Sequence, residues 1–187
     1  MTSRLLTLLT ILTFSSCSTN KLIFSADRFQ KVGQLTVDKA VKRDIDNKYK
    51  DVSPDHLISI GESIYPNAKG FDLATPKTFE TTNGIFKFTT DYYFSHGDSL
   101  VKVTLYQWDK VKSVDGKKKF QKKFNQLRKS LTDNLGEPKE TNIEQKNFND
   151  ETFRDGIKWT GKVNAYLFMF GNDRTQYRQI RLAIYGE

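Results

Sequence analysis

Few residues of this 187-residue chain suit redox or metal chemistry, because it contains one cysteine and two histidines. A lone cysteine cannot form a disulfide within the chain, and a cysteine-rich zinc site is excluded for the same reason. Long apolar runs are also missing: residues 5–14 form the longest, whereas a transmembrane helix needs about 20 apolar residues. We therefore expect no cofactor, no metal ion and no permanent membrane span, and ordinary packing must supply the stability.

The common enzyme motifs are absent from the sequence. It contains no glycine-rich phosphate loop, no His-Glu-x-x-His and no Gly-x-Ser-x-Gly. His96 lies close to Asp98 and Ser99, but catalytic triads assemble side chains from separated segments of the chain. We interpret that segment as a polar turn, and His56 as a residue at the start of a structural segment. No residue is predicted to be catalytic.

The informative features begin at the first residues. Arg4 precedes the apolar run, and two small residues, Ser15 and Ser16, lead to the single cysteine, Cys17. A charged start, an apolar stretch and small residues are typical of a secretory signal peptide. The segment from Phe14 to Cys17 resembles the bacterial lipobox. This resemblance implies cleavage before Cys17 and lipidation of its thiol, with diacylglycerol on the sulfur and a fatty acyl chain such as palmitate.

The resemblance also implies a place in the cell envelope, with a membrane as partner through the lipid on Cys17. The next residues, Ser18-Thr19-Asn20, lack the aspartate that resembles an inner-membrane retention signal, so we expect an outer-membrane lipoprotein facing the periplasm. The predicted organisation is a signal peptide at 1–16, the lipidated cysteine and a tether at 17–34, and a single domain at 35–187. An ordinary secretory signal, with Cys17 as an incidental neighbour, is the alternative.

Hydrophobic periodicity divides the domain into helices and strands. Apolar residues at helical spacing predict one helix at 37–49 and another that carries Phe120, Phe124, Leu127, Leu131 and Leu135 and stops near Gly136. Residues 57–65 fit either a strand or a helix. Strand patterns occur in five segments: 86–94, 101–106, 157–160, 165–170 and 177–185.

The predicted fold class is α+β. The connections between the strands are short enough for neighbours, which favours an antiparallel sheet of about five strands with helices packed on one face. Segment 165–170 is apolar on both faces, so it is predicted to lie inside the sheet.

Positive charge is concentrated in one segment of the chain. Residues 110–129 contain nine basic residues and one acidic residue, a net charge of +8 that equals that of the whole chain. Three lysines in the first turn of the second helix oppose its dipole, which suggests a use for them. We predict that this helix binds an anionic partner through Lys117, Lys118, Lys119, Lys122, Lys123 and Lys129. A charged surface that serves solubility alone is the alternative.

Three hypotheses for function follow from this organisation. The first is a non-enzymatic envelope interaction or assembly module, whose basic helix meets anionic lipid, peptidoglycan or an acidic envelope protein; nucleic acid is not expected there. The second is a lipid-anchored immunity or inhibitor protein against a toxin or hydrolase. The third is an envelope hydrolase whose site combines scattered carboxylates with His56 or His96. The oligomeric state is left open.

Overall fold

One antiparallel β-sheet organises the domain. The computed structural model describes residues 23, 29, 32–66, 70, 72–111, 116–143 and 151–186. Eight strands in these segments follow the order β1-β2-β3-β4-β8-β7-β6-β5 across the sheet. Their bounds are β1 Lys50–Asp51, β2 Lys77–Asn83, β3 Phe86–Phe94, β4 Val101–Lys110, β5 Glu140–Asn142, β6 Thr152–Trp159, β7 Val163–Asn172 and β8 Tyr177–Gly186.

The α+β class is confirmed, but the sheet has eight strands and not about five. The five predicted segments correspond to β3, β4, β6, β7 and β8. Strands β1 and β5 lie at the two edges of the sheet with two and three residues, which is too short to show a period. Strand β2 has threonine where an alternating strand would carry larger apolar side chains, and Phe79 is its only aromatic residue.

The helix that we label α1 spans Val37–Asp46. Its Val37, Ala40 and Val41 are buried, as the helical spacing predicts, but Ile45 is 57% exposed. The helix ends early because Lys48 adopts a left-handed backbone conformation, with φ of 58°. Tyr49 therefore lies beyond the helix and packs against the core from the connection to β1.

The second helix, α2, spans Lys117–Leu135 and ends at Gly136, whose φ is 80°. Both helices lie on the same face of the sheet. Helix α1 packs in a cluster with Tyr92 of β3, and α2 packs in a cluster with Phe88 of the same strand. These two side chains are four residues apart, and an even spacing places them on one face of a strand.

The main core lies between α2 and the central strands. It buries Trp108 of β4, Leu167 of β7 and Leu182 of β8 beneath the helix. Strand β7 lies between β8 and β6, so the prediction that segment 165–170 is internal to the sheet is confirmed. None of the helices in the described part of the chain is long and apolar enough to cross a membrane.

The packed domain starts before residue 35, where the sequence pattern placed its boundary. Ile23 and Phe29 fall in the predicted tether at 17–34, yet they are only 0% and 4% exposed and belong to the main core. Their burial means that the domain includes part of the segment assigned to the tether.

The face of the sheet opposite to the helices is covered by residues 57–65, the segment whose sequence pattern fits either a strand or a helix. Residues 57–65 contain a turn at 62–64 and form no helix or strand. Ile60 and Tyr65 from this segment are buried against Tyr93 and Val103 of the sheet. Leu57 and Ile58 are exposed, so the cover is partial.

Candidate functional site

The apolar stripe of α2 fixes which side of the helix faces solvent. Phe120, Phe124, Leu127 and Leu131 are at most 1% exposed, and Leu135 packs at the edge of the same core. The ring of Phe120 lies 5.0 Å from that of Phe86, which holds the start of the helix against β3. At its other end, Trp159 Nε1 donates a hydrogen bond to the carbonyl oxygen of Gly136 over 3.0 Å.

Five of the six predicted lysines lie on the outer side of α2 and are exposed. We define the lysine surface as the exposed cations of this helix: Lys117, Lys118, Lys119, Lys122, Arg128 and Lys129. The first turn contains no acidic residue, and the N-cap residue, Gly116, has no side chain that could cap the helix. Three positive charges therefore face the positive end of the helix dipole.

Two members of the lysine surface have an acidic neighbour. Lys129 Nζ lies 2.7 Å from Asp133 Oδ2 one turn along α2, and Lys117 Nζ lies 4.0 Å from Asp173 Oδ2 in the β7–β8 turn. Exposed pairs of this kind contribute about 0–1 kcal/mol each. Lys118, Lys119, Lys122 and Arg128 have no ion-pair partner among the described residues, so most of the charge is uncompensated.

Lys123 corrects the prediction for this surface. The helical wheel placed it on the flank of the exposed side, whereas it is 7% exposed and its Nζ lies 5.0 Å above the ring of Trp108. Burial lowers the pKa of Lys123 to about 8. The buried side of α2 is wider than its stripe of five leucine and phenylalanine residues suggests, because Trp108 of the sheet also covers the position of Lys123. Lys123 is therefore unavailable to an external partner.

Neither histidine takes part in a convergent site. His56 is exposed and its Nδ1 lies 2.7 Å from Asp55 Oδ1 of the preceding residue. His96 is exposed in the β3–β4 turn, where its backbone N–H donates to the carbonyl oxygen of Asp72. Within the described ranges, no group of three or more His, Cys, Asp and Glu side chains could hold a metal ion.

Sequence reasoning missed a second site, on the face of the sheet opposite to α2. A groove of about 500 Å³ lies between the strands and residues 52–64. We call it the polar groove, because its wall includes Thr78, Glu80, Lys87, Asp91, Gln107 and Arg181. In β4 and β8 polar residues alternate with Trp108 and Ile180, and this alternation was the signal that a polar face lies behind the core.

Two carboxylates on this face are removed from solvent to different degrees, since Asp91 is buried and Asp109 is half-buried. Asp91 is 7% exposed and accepts hydrogen bonds from Thr78 Oγ1 at 2.9 Å and Gln107 Nε2 at 2.7 Å. Asp109 accepts a hydrogen bond from Gln179 Nε2. Burial raises the pKa of both carboxyl groups, and the nearby Arg181 guanidinium opposes the increase.

The polar groove bears on the hydrolase hypothesis. It brings together Glu80 and Asp91, but neither His56 nor His96 is among the residues that line it. Glu80 is held in an ion pair, with its Oε2 2.8 Å from Lys87 Nζ, which lowers the pKa of the Glu80 carboxyl. The predicted combination of carboxylates with a histidine is thus not assembled in this groove.

The predicted anchor lies outside the described residues, since Cys17 precedes residue 23. No family model, curated protein or solved structure matches the chain. The candidate sites therefore depend on the geometry of this chain alone.

Proposed function

We propose that this protein is a lipid-anchored envelope protein, a non-enzymatic interaction module whose lysine surface binds an anionic partner close to the membrane. The observation that carries the proposal is the lysine surface itself. It presents six exposed cations on one side of α2, and four of them have no ion-pair partner among the described residues.

The burial of Ile23 supports a partner near the membrane. If Cys17 carries the lipid, five residues separate it from Ile23 in the core, and even a fully extended chain covers at most about 22 Å from Cys17 to Ile23. Ile23 belongs to the same core cluster as the apolar stripe of α2. A lipid on Cys17 would thus support contact of the helix with the bilayer surface or with the peptidoglycan next to it.

Electrostatics supplies a suitable strength for such binding. A basic residue close to an anionic lipid surface contributes about 1 kcal/mol, so three lysines amount to about a 100-fold change in affinity. Three lysines at the start of α2 destabilise the helix through its dipole, and no side chain caps the N-terminus to offset this effect. This pattern is expected of a surface that is kept for binding.

The anchor is tested by replacing the only cysteine. Cys17→Ala should abolish incorporation of labelled palmitate, because no other thiol can accept diacylglycerol. The measurement is metabolic labelling followed by separation of membrane and periplasmic fractions. A Cys17→Ala variant that still carries labelled fatty acid would refute the lipid anchor.

The surface is tested with a variant that removes three uncompensated charges, Lys118→Gln, Lys119→Gln and Lys122→Gln. In a chain that starts at Ser18, the parent should bind vesicles with anionic lipid at low salt, and the triple variant should bind about 100-fold more weakly. Binding of the parent should fade at about 0.5 M salt, because the Debye length falls from about 10 Å at 0.1 M to about 3 Å at 1 M. Sedimentation with vesicles measures both effects.

A matched control removes three exposed lysines elsewhere: Lys39→Gln, Lys139→Gln and Lys162→Gln. It has the same net charge as the first variant and should bind like the parent. Purified peptidoglycan in place of vesicles tells the two anionic surfaces apart. If both variants lose binding equally, or if the parent binds neither surface at low salt, the lysine surface has no binding role.

A further inference from the structure

A second pocket lies on the face of the sheet that the helices leave uncovered. Its volume is about 500 Å³, within the usual range for small-molecule sites of about 300–1,000 Å³. Its walls include Phe168 and Phe170 of β7, Arg154 of β6, Arg181 of β8, and Ile64 from the covering segment. We call it the arginine pocket. Arg181 and Ile64 also line the polar groove beside it.

The two arginines are positioned by aromatic rings. The guanidinium carbon of Arg154 lies 5.3 Å from the ring centre of Phe168, and that of Arg181 lies 5.3 Å from the ring centre of Phe170. The attraction between each guanidinium and its ring holds the positive charge at this wall of the pocket. A guanidinium has five N–H donors, and two of them can bind the two oxygens of a carboxylate or phosphate.

Arg181 has a donor that the protein does not use. Its Nε is buried and has no hydrogen-bond partner among the described residues. A buried polar group without a partner is rare in folded proteins, because it has lost water and gained nothing in return. Nε itself has no surface that a ligand could touch, so a bound anion would be held by the terminal nitrogens of Arg181, which is half-buried and lines the pocket.

The other residues that line the pocket indicate what the rest of the ligand would be. No aspartate or glutamate is among the described residues that line the pocket, while Ser63, Thr152 and Asn172 add neutral polar groups. Phe168 is buried and Tyr177 is 45% exposed, so apolar surface continues from the arginines toward solvent. Such a pocket matches a molecule with an anionic end and an apolar body.

We propose that the arginine pocket binds a small amphipathic anion, with its carboxylate or phosphate held by Arg154 and Arg181 and its apolar body against Phe168 and Phe170. The site lies on the opposite face of the sheet from α2. It is therefore independent of the lysine surface and of the function proposed for it.

The experiment is calorimetric titration of the full chain in nanodiscs of zwitterionic lipid, with empty nanodiscs as the blank. 2-Naphthoate is the probe, and 2-naphthalenemethanol is its neutral analogue of similar shape. The carboxylate should bind saturably to one site, and the neutral analogue at least tenfold more weakly. Octanoate, titrated in the same way, shows whether an acyl chain or a flat ring fits the aromatic wall better. The site is supported if binding of either ligand depends on the two arginines.

Variants assign the binding to the pocket. Arg181→Gln and Arg154→Gln should each weaken binding of 2-naphthoate at least tenfold. Lys158→Gln, which removes a charge from the same face of β6 without lining the pocket, should leave it unchanged. Arg154 is exposed, so its variant carries the test if Arg181→Gln fails to fold. The proposal is overturned by absence of saturable binding, by equal affinity for the neutral analogue, or by unchanged binding in the Arg154→Gln variant.

Discussion

A single buried amine shows how the sheet and α2 constrain each other. Lys123 extends over Trp108 with its Nζ 5.0 Å from the ring, so the ring face compensates part of the lost hydration. Burial still depresses the pKa of Lys123 to about 8, below its usual value of 10.5. The protonated amine of Lys123 is therefore less stable in the folded protein than in the hydrated unfolded chain.

This depressed pKa predicts how stability depends on pH. Below pH 8 the amine is charged in both states and its burial opposes folding, whereas between pH 8 and 10.5 the unfolded chain binds more protons, so stability rises with pH. Lys123→Met should therefore be more stable than the parent at pH 7, by up to about 3 kcal/mol. The difference should shrink as the pH approaches 10. Urea unfolding of both proteins at each pH measures it.

Lys122→Met is the matched control, because Lys122 is exposed one position earlier on the same helix. At pH 7 its free energy of unfolding should differ from that of the parent by about 0.5 kcal/mol or less, as is usual for an exposed site. A difference for Lys123→Met that stays constant with pH would show that its amine is solvated in the folded protein.

At the scale of the element, the stripe of α2 decides which charges are presented. Phe124 lies in the middle of the helix and is 1% exposed. Phe124→Ala should lower the free energy of unfolding by about 3–5 kcal/mol, the usual cost of emptying a buried aromatic site. Denaturant titration measures the loss, and a cost under about 1 kcal/mol would mean that this side of the helix is not packed against the sheet.

Asn125→Ala supplies the comparison for that experiment. Asn125 is the next residue and is exposed, and substitutions at such sites change stability by about 0.5 kcal/mol or less. The contrast between neighbouring positions separates loss of core packing from a general effect on helix formation.

Elements with a clear period could be predicted from the sequence, and elements held by tertiary contacts could not. The β3–β4 hairpin and α2 show their apolar periods along the chain. One side of α2 is buried, whereas both faces of the hairpin are, because Tyr93 and Val103 pack on the face opposite to the helices. The edge strand β5 is three exposed residues long, and it forms because β6 offers a free edge with which Glu140 pairs opposite Lys158. The free edge of β6 cannot be inferred from the local sequence of β5.

The candidate sites follow the same division. Six of the cations near α2 could be placed by the helical wheel, but the burial of Lys123 required knowledge of where Trp108 lies. The arginine pocket joins Arg154, Phe168 and Arg181 from three strands. These residues become neighbours only through the register of the sheet, so no spacing in the sequence could have indicated the pocket.

At the scale of the whole molecule, the two faces of the sheet carry different candidate sites. One face packs the helices and turns the lysine surface outward, and the other carries the polar groove and the arginine pocket. In the proposed arrangement, a lipid on Cys17 would keep the domain close to the membrane, because the chain already belongs to the core at Ile23. Attachment and ligand binding could then proceed at the same time.

The contact between α2 and an anionic membrane can be measured with one fluorescent label. A chain that starts at Ser18 has no cysteine, so Asn125→Cys creates a single labelling site, next to Lys122 and Lys129 on the helix wheel. Labelled there, the protein should show a blue shift and protection from iodide quenching when anionic vesicles are added, and about 0.5 M salt should reverse both. The same label at His96→Cys, in the exposed β3–β4 turn, should change little. Equal changes at the two sites, or none at Asn125→Cys, would contradict a role for the lysine surface in binding.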